Sequence, residues 1–242
     1  MRITRFYFKG SLETGSIVKL QPDLIHYMIK VLRLRQRHQI KLFNNNEGEF
    51  LATIVAIDKN EISVSIDLQI REPAEDSVRF HIALSITRGE RMDYAIQKSV
   101  ELGVSSVTPL NSQFSEVKIK NRKHLENKLH HWRKIALNSS QQCGRLSLPQ
   151  VREPRNLAEF IEETKDDTFI FLDTSGKKKL NELECGRDLH IVVGPEGGFS
   201  DEELTYASKK AEVITLGPRT LRSETAPIVA LSILQSKFGD LL

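Results

Sequence analysis

The chain has no apolar run near the roughly 20 residues that a bilayer-spanning helix needs. Its start, MRITRFYFKG, lacks a long apolar core and a small-residue cleavage site, so neither a signal nor a transit peptide is expected there. Two cysteines in 242 residues, Cys143 and Cys185, supply neither a disulfide framework nor a metal-ligand spacing. The seven histidines show no HxH or HExxH pattern, so no metal is expected. No glycine loop ends in the lysine of a Walker phosphate turn, and no G-x-S-x-G elbow marks a serine hydrolase. Internal repeats and low-complexity segments are missing as well. With 39% apolar and 28% charged residues, the composition is that of an ordinary soluble globular protein in a reducing cytoplasm.

Acids are scarce in two stretches, although the net charge is only +3. From His26 to Lys41 there are five Lys/Arg residues and no acid. From Lys118 to Lys134 there are seven, with three histidines and a single acid, Glu126. One such run is ordinary solvated surface, but two in one chain point to a polyanionic partner, with nucleic acid first.

Short β-branched or alternating runs fill the first 72 residues: TRFYF, SIVKL, QIKLF, FLATIVAI and EISVSIDLQI. One helix, DLIHYMIKVLRL, interrupts them, so a small β-barrel holding a helix is expected. REPAEDS then reads as a linker, dividing the chain into residues 1–72 and 73–242. Beyond it strands and helices alternate, predicting an α/β domain with a largely parallel sheet. Its helices are expected at ERMDYAIQKSVEL closed by Gly103, at His124–Gln142, at NLAEFIEET, at Ser200–Lys210 and from Pro227 to Phe238.

Three apolar runs of this second part end in glycine-containing loops: FLDTSGKKK, VVGPEGGFS and TLGPRTLRSETA. In open α/β sheets ligands bind outside the carboxyl ends of strands, so three such loops together predict a site. Ser200 and Glu203 form a capping box, which satisfies the first amides of the following helix and argues against an anion there. A neutral or cationic ligand carrying adenine and ribose fits better, and the carboxylate of Glu196 tolerates a positive centre. Lys98 and Glu101, three apart on one helix, are expected to pair.

TRGERMDYAIQKSVELGV, SSQQCGR, VVGPEGGFSDEE and LGPRTLRSETA resemble the signature blocks of the RsmE-type ribosomal RNA small subunit (16S rRNA) uracil-N3 methyltransferases of the SPOUT superfamily. HYMIKVLRLRQRHQI resembles their N-terminal block, and the resemblance runs from Arg5 to the C-terminus with order and spacing kept. It implies a PUA-like RNA-binding β-barrel and a C-terminal SPOUT α/β domain whose last segment forms a deep trefoil knot. It also implies a homodimer, S-adenosyl-L-methionine as cofactor, and ribosomal RNA, free or in the assembled small subunit, as partner. The cofactor loops then fall on Leu172–Gly176, Gly194–Gly198 and Leu216–Ala226. The contacts are expected from Leu172 and Thr174, from Gly194, Pro195, Glu196, Gly197 and Gly198, and from Leu216, Gly217, Arg219, Leu221, Arg222, Thr225 and Ala226. RNA contacts are expected from Arg5, Arg33, Arg35, Arg37, Lys120, Arg122, Lys123 and Arg145. Gln141-Gln142-Cys143 departs from a Glu-rich version in the family, so no acid role is carried over to it.

Methylating uracil N3 requires loss of an imide proton and stabilisation of the charge left on O2 or O4. Arginine offers a planar fork of donors that stays protonated, which makes Arg145 and Arg222 the candidates. For Arg222 an ordinary cap or a dimer salt bridge is the alternative. Glu196 or Glu224 could take the proton, or could merely orient backbone amides. Cys143 is read as a packing residue, because N3 chemistry needs no attack on the ring. A non-catalytic RNA-binding protein, a nucleotide-dependent hydrolase and a methyltransferase of another RNA stay open. If the basic runs meet the RNA backbone, reversing Arg33, Arg35 and Arg37 to Glu weakens RNA binding and flattens its salt dependence. A titration at several salt concentrations giving unchanged affinity and slope would remove this surface from RNA binding.

Overall fold

The computed structural model describes residues 3–59, 61–73, 77–115, 117–164 and 167–241. The middle of the expected linker, residues 74–76, lies outside them. The chain forms two compact units, Met1–Glu75 with Ser140–Leu148, and Asp76–Ser139 with Pro149–Leu242.

In the first unit, strands β1 (Arg5–Tyr7), β2 (Ile17–Lys19), β3 (Gln39–Asn44), β4 (Gly48–Asp58) and β5 (Glu61–Arg71) form one sheet in the order β1-β3-β4-β5-β2. Alternation puts Ile62, Val64 and Ile66 of β5 inside, and register shifts between β4 and β5 curl the sheet around them. Among the described residues β1 and β2 do not pair, so the expected barrel is open at that seam. The expected helix is α1 (Pro22–His26), with Pro22 in its first turn, continued by a π-helical turn over Tyr27–Val31. The Leu32 amide donates to Tyr27 O at 3.0 Å, and Arg33 then turns to a φ of 54°, which ends the helix before Leu34.

Arg5 departs from the expected RNA-binding role. Its guanidinium sits 4.2 Å above the Phe43 ring and pairs with Glu49. It also donates to the carbonyls of Ser140 (3.0 Å), Gln141 (3.2 Å) and Arg145 (2.9 Å). With its side chain only 10% exposed and its donors engaged inside this unit, Arg5 fastens residues 140–148 to the sheet. Tyr7 N–H to Gln141 Oε1 and Arg71 Nη1 to Gly144 O, at 3.1 and 2.7 Å, reinforce that attachment.

The second unit contains β6 (Arg79–Ser85), α2 (Glu90–Glu101), β7 (Ser106–Asn111), α3 (Arg122–Cys143, whose last residues count with the first unit), β8 (Gln150–Val151), β9 (Arg155–Asn156), α4 (Leu157–Glu163) and β10 (Thr168–Leu172). It continues through β11 (Lys178–Lys179), β12 (Asp188–Val193), α5 (Asp201–Ala207), β13 (Glu212–Thr215) and α6 (Ala226–Phe238). The sheet order is β11-β13-β10-β12-β6-β7-β8, with β9 also on β7, and every pairing is parallel. Phe80, Ile82 and Leu84 of β6 face a core with residues of α2, α3 and α6. Ala83 faces the opposite core with residues of α4 and α5. Both faces are covered, as a parallel sheet requires. Gly103, at a φ of 82°, closes α2 as expected, and the Gln235 side chain of α6 donates to Leu102 O at 2.8 Å. Lys98 Nζ pairs with Glu101 at 2.8 Å, and Ser200 and Glu203 form the expected capping box. Cys143, expected to pack, is instead exposed, because the last turn of α3 leaves its thiol facing out with only a long contact to Ser140 O.

One row of aromatic rings crosses three strands. His81 of β6 and His190 of β12 are in register and stack at 4.6 Å, and Phe169 of β10 stacks on His190 at 5.0 Å. His81 Nε2–H donates to Asp188 at 2.8 Å, with Ser106 Oγ 2.8 Å from Nδ1. His190 Nε2–H donates to Asp167 at 2.9 Å, while its buried Nδ1 has no partner among the described residues. Burial lowers His81, and burial together with His81 lowers His190 to about 4 from its ordinary 6.5. Between those two values the unfolded chain binds more protons than the folded one, so stability rises with pH across the window and is lost as pH falls through it. Thermal melts are expected to drop between pH 6.5 and 4. His190→Phe, which keeps the stack with Phe169, flattens that drop, and an unchanged pH dependence in the variant contradicts this account.

Candidate cofactor and active site

β10 lies between β12 and β13, so the carboxyl ends of these three strands are neighbours. The loops leaving them enclose a cavity of about 520 Å³, within the usual range for a small-ligand site. Leu172, Asp173 and Thr174 line it from the first loop and Val193 to Phe199 from the second. The third loop adds Thr215, Leu216, Gly217 and Arg219 to Ser223, with Ala226 behind them. Every expected cofactor residue except Thr225 is among them. Thr225 is instead the cap of α6, its amide donating to Arg222 O at 2.9 Å. Arg145 belongs to the first unit and is not in the lining, and its Nη2 donates to Ser147 Oγ at 2.9 Å.

Three amides in and after the second loop are committed. Gly198 N–H donates to Pro195 O at 2.9 Å, Ser200 N–H to Glu203 Oε2 at 2.9 Å, and Glu203 N–H to Ser200 Oγ at 3.2 Å. An anion would find little to bind there, as the capping box implied. The carboxylate at the rim is Glu196. It accepts from Arg91 Nη1, on the first turn of α2, and at 3.1 Å from Ser223 Oγ. Burial alone would raise the Glu196 carboxyl, but its own backbone amide, Arg91 and Ser223 together hold it below its ordinary value. Ser223 also reaches Glu224 at 3.3 Å, and Glu224 lies 3.8 Å from Arg222 Nη1. Arg222 keeps 78% of its side chain exposed and stays available to a ligand.

Sequence reasoning missed Arg91, Ser223 and Phe199 as parts of this site. Arg91 was visible only inside the TRGER block, and nothing in the pattern ties it to a residue 105 positions later. Lys120, Arg122 and Lys123 lie exposed at and before the start of α3, where the Asn121 side chain accepts from His124 N–H at 2.9 Å. Arg122 is already paired with Glu126 and Glu153, at 3.0 and 3.4 Å.

The glycines of the second loop differ in their reasons. A Cβ on Gly194 would meet the Phe199 ring at 3.0 Å, and one on Gly197 the Phe114 Cβ at 3.2 Å. Gly198 has open space around it but a φ of 73°, so backbone conformation and not crowding requires glycine. Gly198→Val is therefore expected to lose S-adenosylhomocysteine binding by distorting the turn, whereas Gly198→Asn, which tolerates this conformation, retains most of it. Calorimetric titration of folded variants checks the order, and equal affinity in both would mean the turn does not shape the site.

The RNA methyltransferase domain family matches residues 74–235, and the RNA methyltransferase PUA domain family matches residues 20–67. Ribosomal RNA small subunit methyltransferase E of Buchnera aphidicola subsp. Schizaphis graminum is 35% identical over 99% of this chain and 98% of its own length. A methyltransferase of Legionella pneumophila, solved with bound S-adenosylmethionine, superposes with a TM-score of 0.91 at 36% identity over 98% of each chain. The ribosomal RNA small subunit methyltransferase E of Neisseria gonorrhoeae, also solved with S-adenosylmethionine, gives a TM-score of 0.91 at 28% identity over the whole of both chains. With full-length identity to one such enzyme and both domain families matched in order, the chain belongs to the ribosomal RNA small subunit methyltransferase E family.

Proposed function

We propose that the chain methylates N3 of a uridine in small-subunit (16S) ribosomal RNA, using S-adenosylmethionine. The observation that carries this reading is the cavity at three adjacent strand ends, lined by glycine-containing loops and by the carboxylate of Glu196. Those features suit a ligand with a cationic centre better than a phosphate. Leu172, Thr174, the Gly194–Gly198 turn and Leu216 to Ala226 would hold it. When bound, S-adenosylmethionine supplies an electrophilic methyl group on its sulfonium.

The chain's own task is to place a uracil, pass its N3 proton to Glu224 or to solvent, and bear the charge that the proton leaves behind. Arg222, exposed at the cavity, offers a planar set of donors to the uracil O2 or O4. Arg145 is retained for the same role on the family resemblance of QCGR. RNA is held by residues 1–72 through Arg33, Arg35 and Arg37, exposed on the segment between α1 and β3, and by Lys120, Arg122 and Lys123. Residues 73–242 carry the transfer, in the cytoplasm, on RNA that is free or assembled.

The same reading includes a deep trefoil knot and a homodimer. What supports the knot is that β13 lies between β10 and β11 and that Gly176 passes against its backbone. On α6, Leu231 is buried in the core, whereas Ile228 and Val229 are half-buried and Ile233 is 39% exposed. A second copy would cover them. A fully active monomer in micromolar sedimentation would remove the dimer from the account. The activity is tested by incubating the protein with S-adenosylmethionine and either naked 16S RNA or small subunits. Modified bases are then mapped by reverse-transcription arrest. Arrest at one uridine, abolished in Arg222→Ala, is expected. Methylation at another atom, or none on either substrate, overturns the proposal.

A further inference from the structure

The geometry points to Arg91 as a positioning residue: through Glu196 it latches the two loops that frame the proposed cofactor cavity to the start of α2. This rests on the cofactor reading above. Three separate elements meet at one carboxylate. Arg91 comes from the first turn of α2, Glu196 from the loop after β12, and Ser223 from the loop after β13. Both donors converge on the same oxygen, Glu196 Oε1. Glu196 and Ser223 line the large cavity. Arg91, Ser223 and Glu224 line a second, tiny cavity of about 10 Å³ with Leu84, Thr87 and Met92. The latch therefore stands between the sheet core and the ligand.

Its place explains why a carboxylate is needed in a turn otherwise made of proline and glycine. The Pro195–Gly198 turn is held to the sheet by Phe199, which is buried beneath Gly194. Its outer corner has the Phe114 side chain on one side and solvent on the other. Arg91 gives that corner a charge-assisted bond with directional geometry. Ser223 extends the bond to the loop carrying Arg222, so the donor proposed to face the uracil is placed through Glu196. A carboxylate that accepts from an arginine and a hydroxyl is poorly suited to take a proton from an imide, which needs a base near neutral pKa. Glu196 is thus a holding group, and its charge is matched by Arg91 before any ligand arrives.

A double-mutant cycle on the full-length protein separates these roles. Arg91→Ala and Glu196→Ala are each expected to weaken S-adenosylhomocysteine binding about tenfold, and the double variant also by about tenfold rather than a hundredfold. Glu196→Gln keeps an acceptor for both donors. Its affinity for S-adenosylhomocysteine should fall less than that of Glu196→Ala, and its pH–rate profile should keep its shape, whereas loss of a general base removes the acidic limb of that profile. Arg91→Lys should recover part of the affinity lost in Arg91→Ala. Thermal melts of each variant identify any that fail to fold, and for such a variant the Arg91→Lys and Glu196→Gln pair carries the test. Additive losses across the cycle, or a pH–rate profile that loses its acidic limb in Glu196→Gln, overturn the latch while leaving the cofactor site standing. No binding by the unmodified protein overturns the cofactor reading and the latch with it.

Discussion

The second unit is organised by one backbone crossing. A Cβ on Gly176 would lie 2.6 Å from the carbonyl carbon of Ile214 and from the amide of Thr215. No side chain fits in that gap, so the loop after β10 runs against the bare backbone of β13. The crossing keeps β13 between β10 and β11, where Lys178 and Glu212 also pair at 2.5 Å. Because β13 ends there, the chain leaving it emerges beside Leu172–Thr174 and faces the turn after β12. The cavity follows from that order. Remove the close approach and the third loop has no reason to lie over the first.

Charge at the cavity follows the same logic of placement. The Gly198 amide and the Ser200 and Glu203 amides at the α5 cap are taken up by Pro195 O and the Ser200–Glu203 box, which lessens the positive potential at that strand end. The cations come from side chains instead. Arg219 and Arg222 extend from the third loop, whereas Arg91 is engaged with Glu196. A ligand in the cavity would lie beside the Arg91–Glu196 pair, whose charges offset each other, while an anionic RNA would meet exposed arginines at the rim. The two demands of a methyltransferase site are separated by whether the charge sits in the wall or at the mouth.

Much of this was legible in the sequence where the physical cause is local. The Ser200–Glu203 box, the Gly103 stop and the Lys98–Glu101 pair each depend on residues within a few positions. The three strand-end loops were legible because glycine after a β-branched run is a local mark as well. What escaped depends on distant partners. Arg5 looked like a free basic residue and is engaged by carbonyls 135 to 140 positions away. Residues 140–148 looked like part of the second domain and are fastened to the first by those same bonds. His81 and His190 carried no motif, and only strand register stacks them. The π-helical turn at Tyr27–Val31 was invisible because apolar spacing there fits an ordinary helix equally well.

That turn bears on how the first basic run is displayed. Arg33 and Arg37 adopt φ values of 54° and 71°, a region that costs an L-residue roughly 1–2 kcal/mol each. Neither is glycine, so the conformation must be imposed by what surrounds it. Leu34 N–H bonds Met28 O at 2.9 Å across the π-helical turn, and Arg37 N–H bonds Ile54 O at 2.8 Å on β4. Between them Leu34 is buried, which fixes the middle of the segment in the core. Arg33, Arg35 and Arg37 are left exposed on a backbone that cannot readily relax. Glycine at 33 or 37 would relieve the strain and remove the charge together. An arginine held there against its preference gives up stability and leaves its cation displayed at a fixed place.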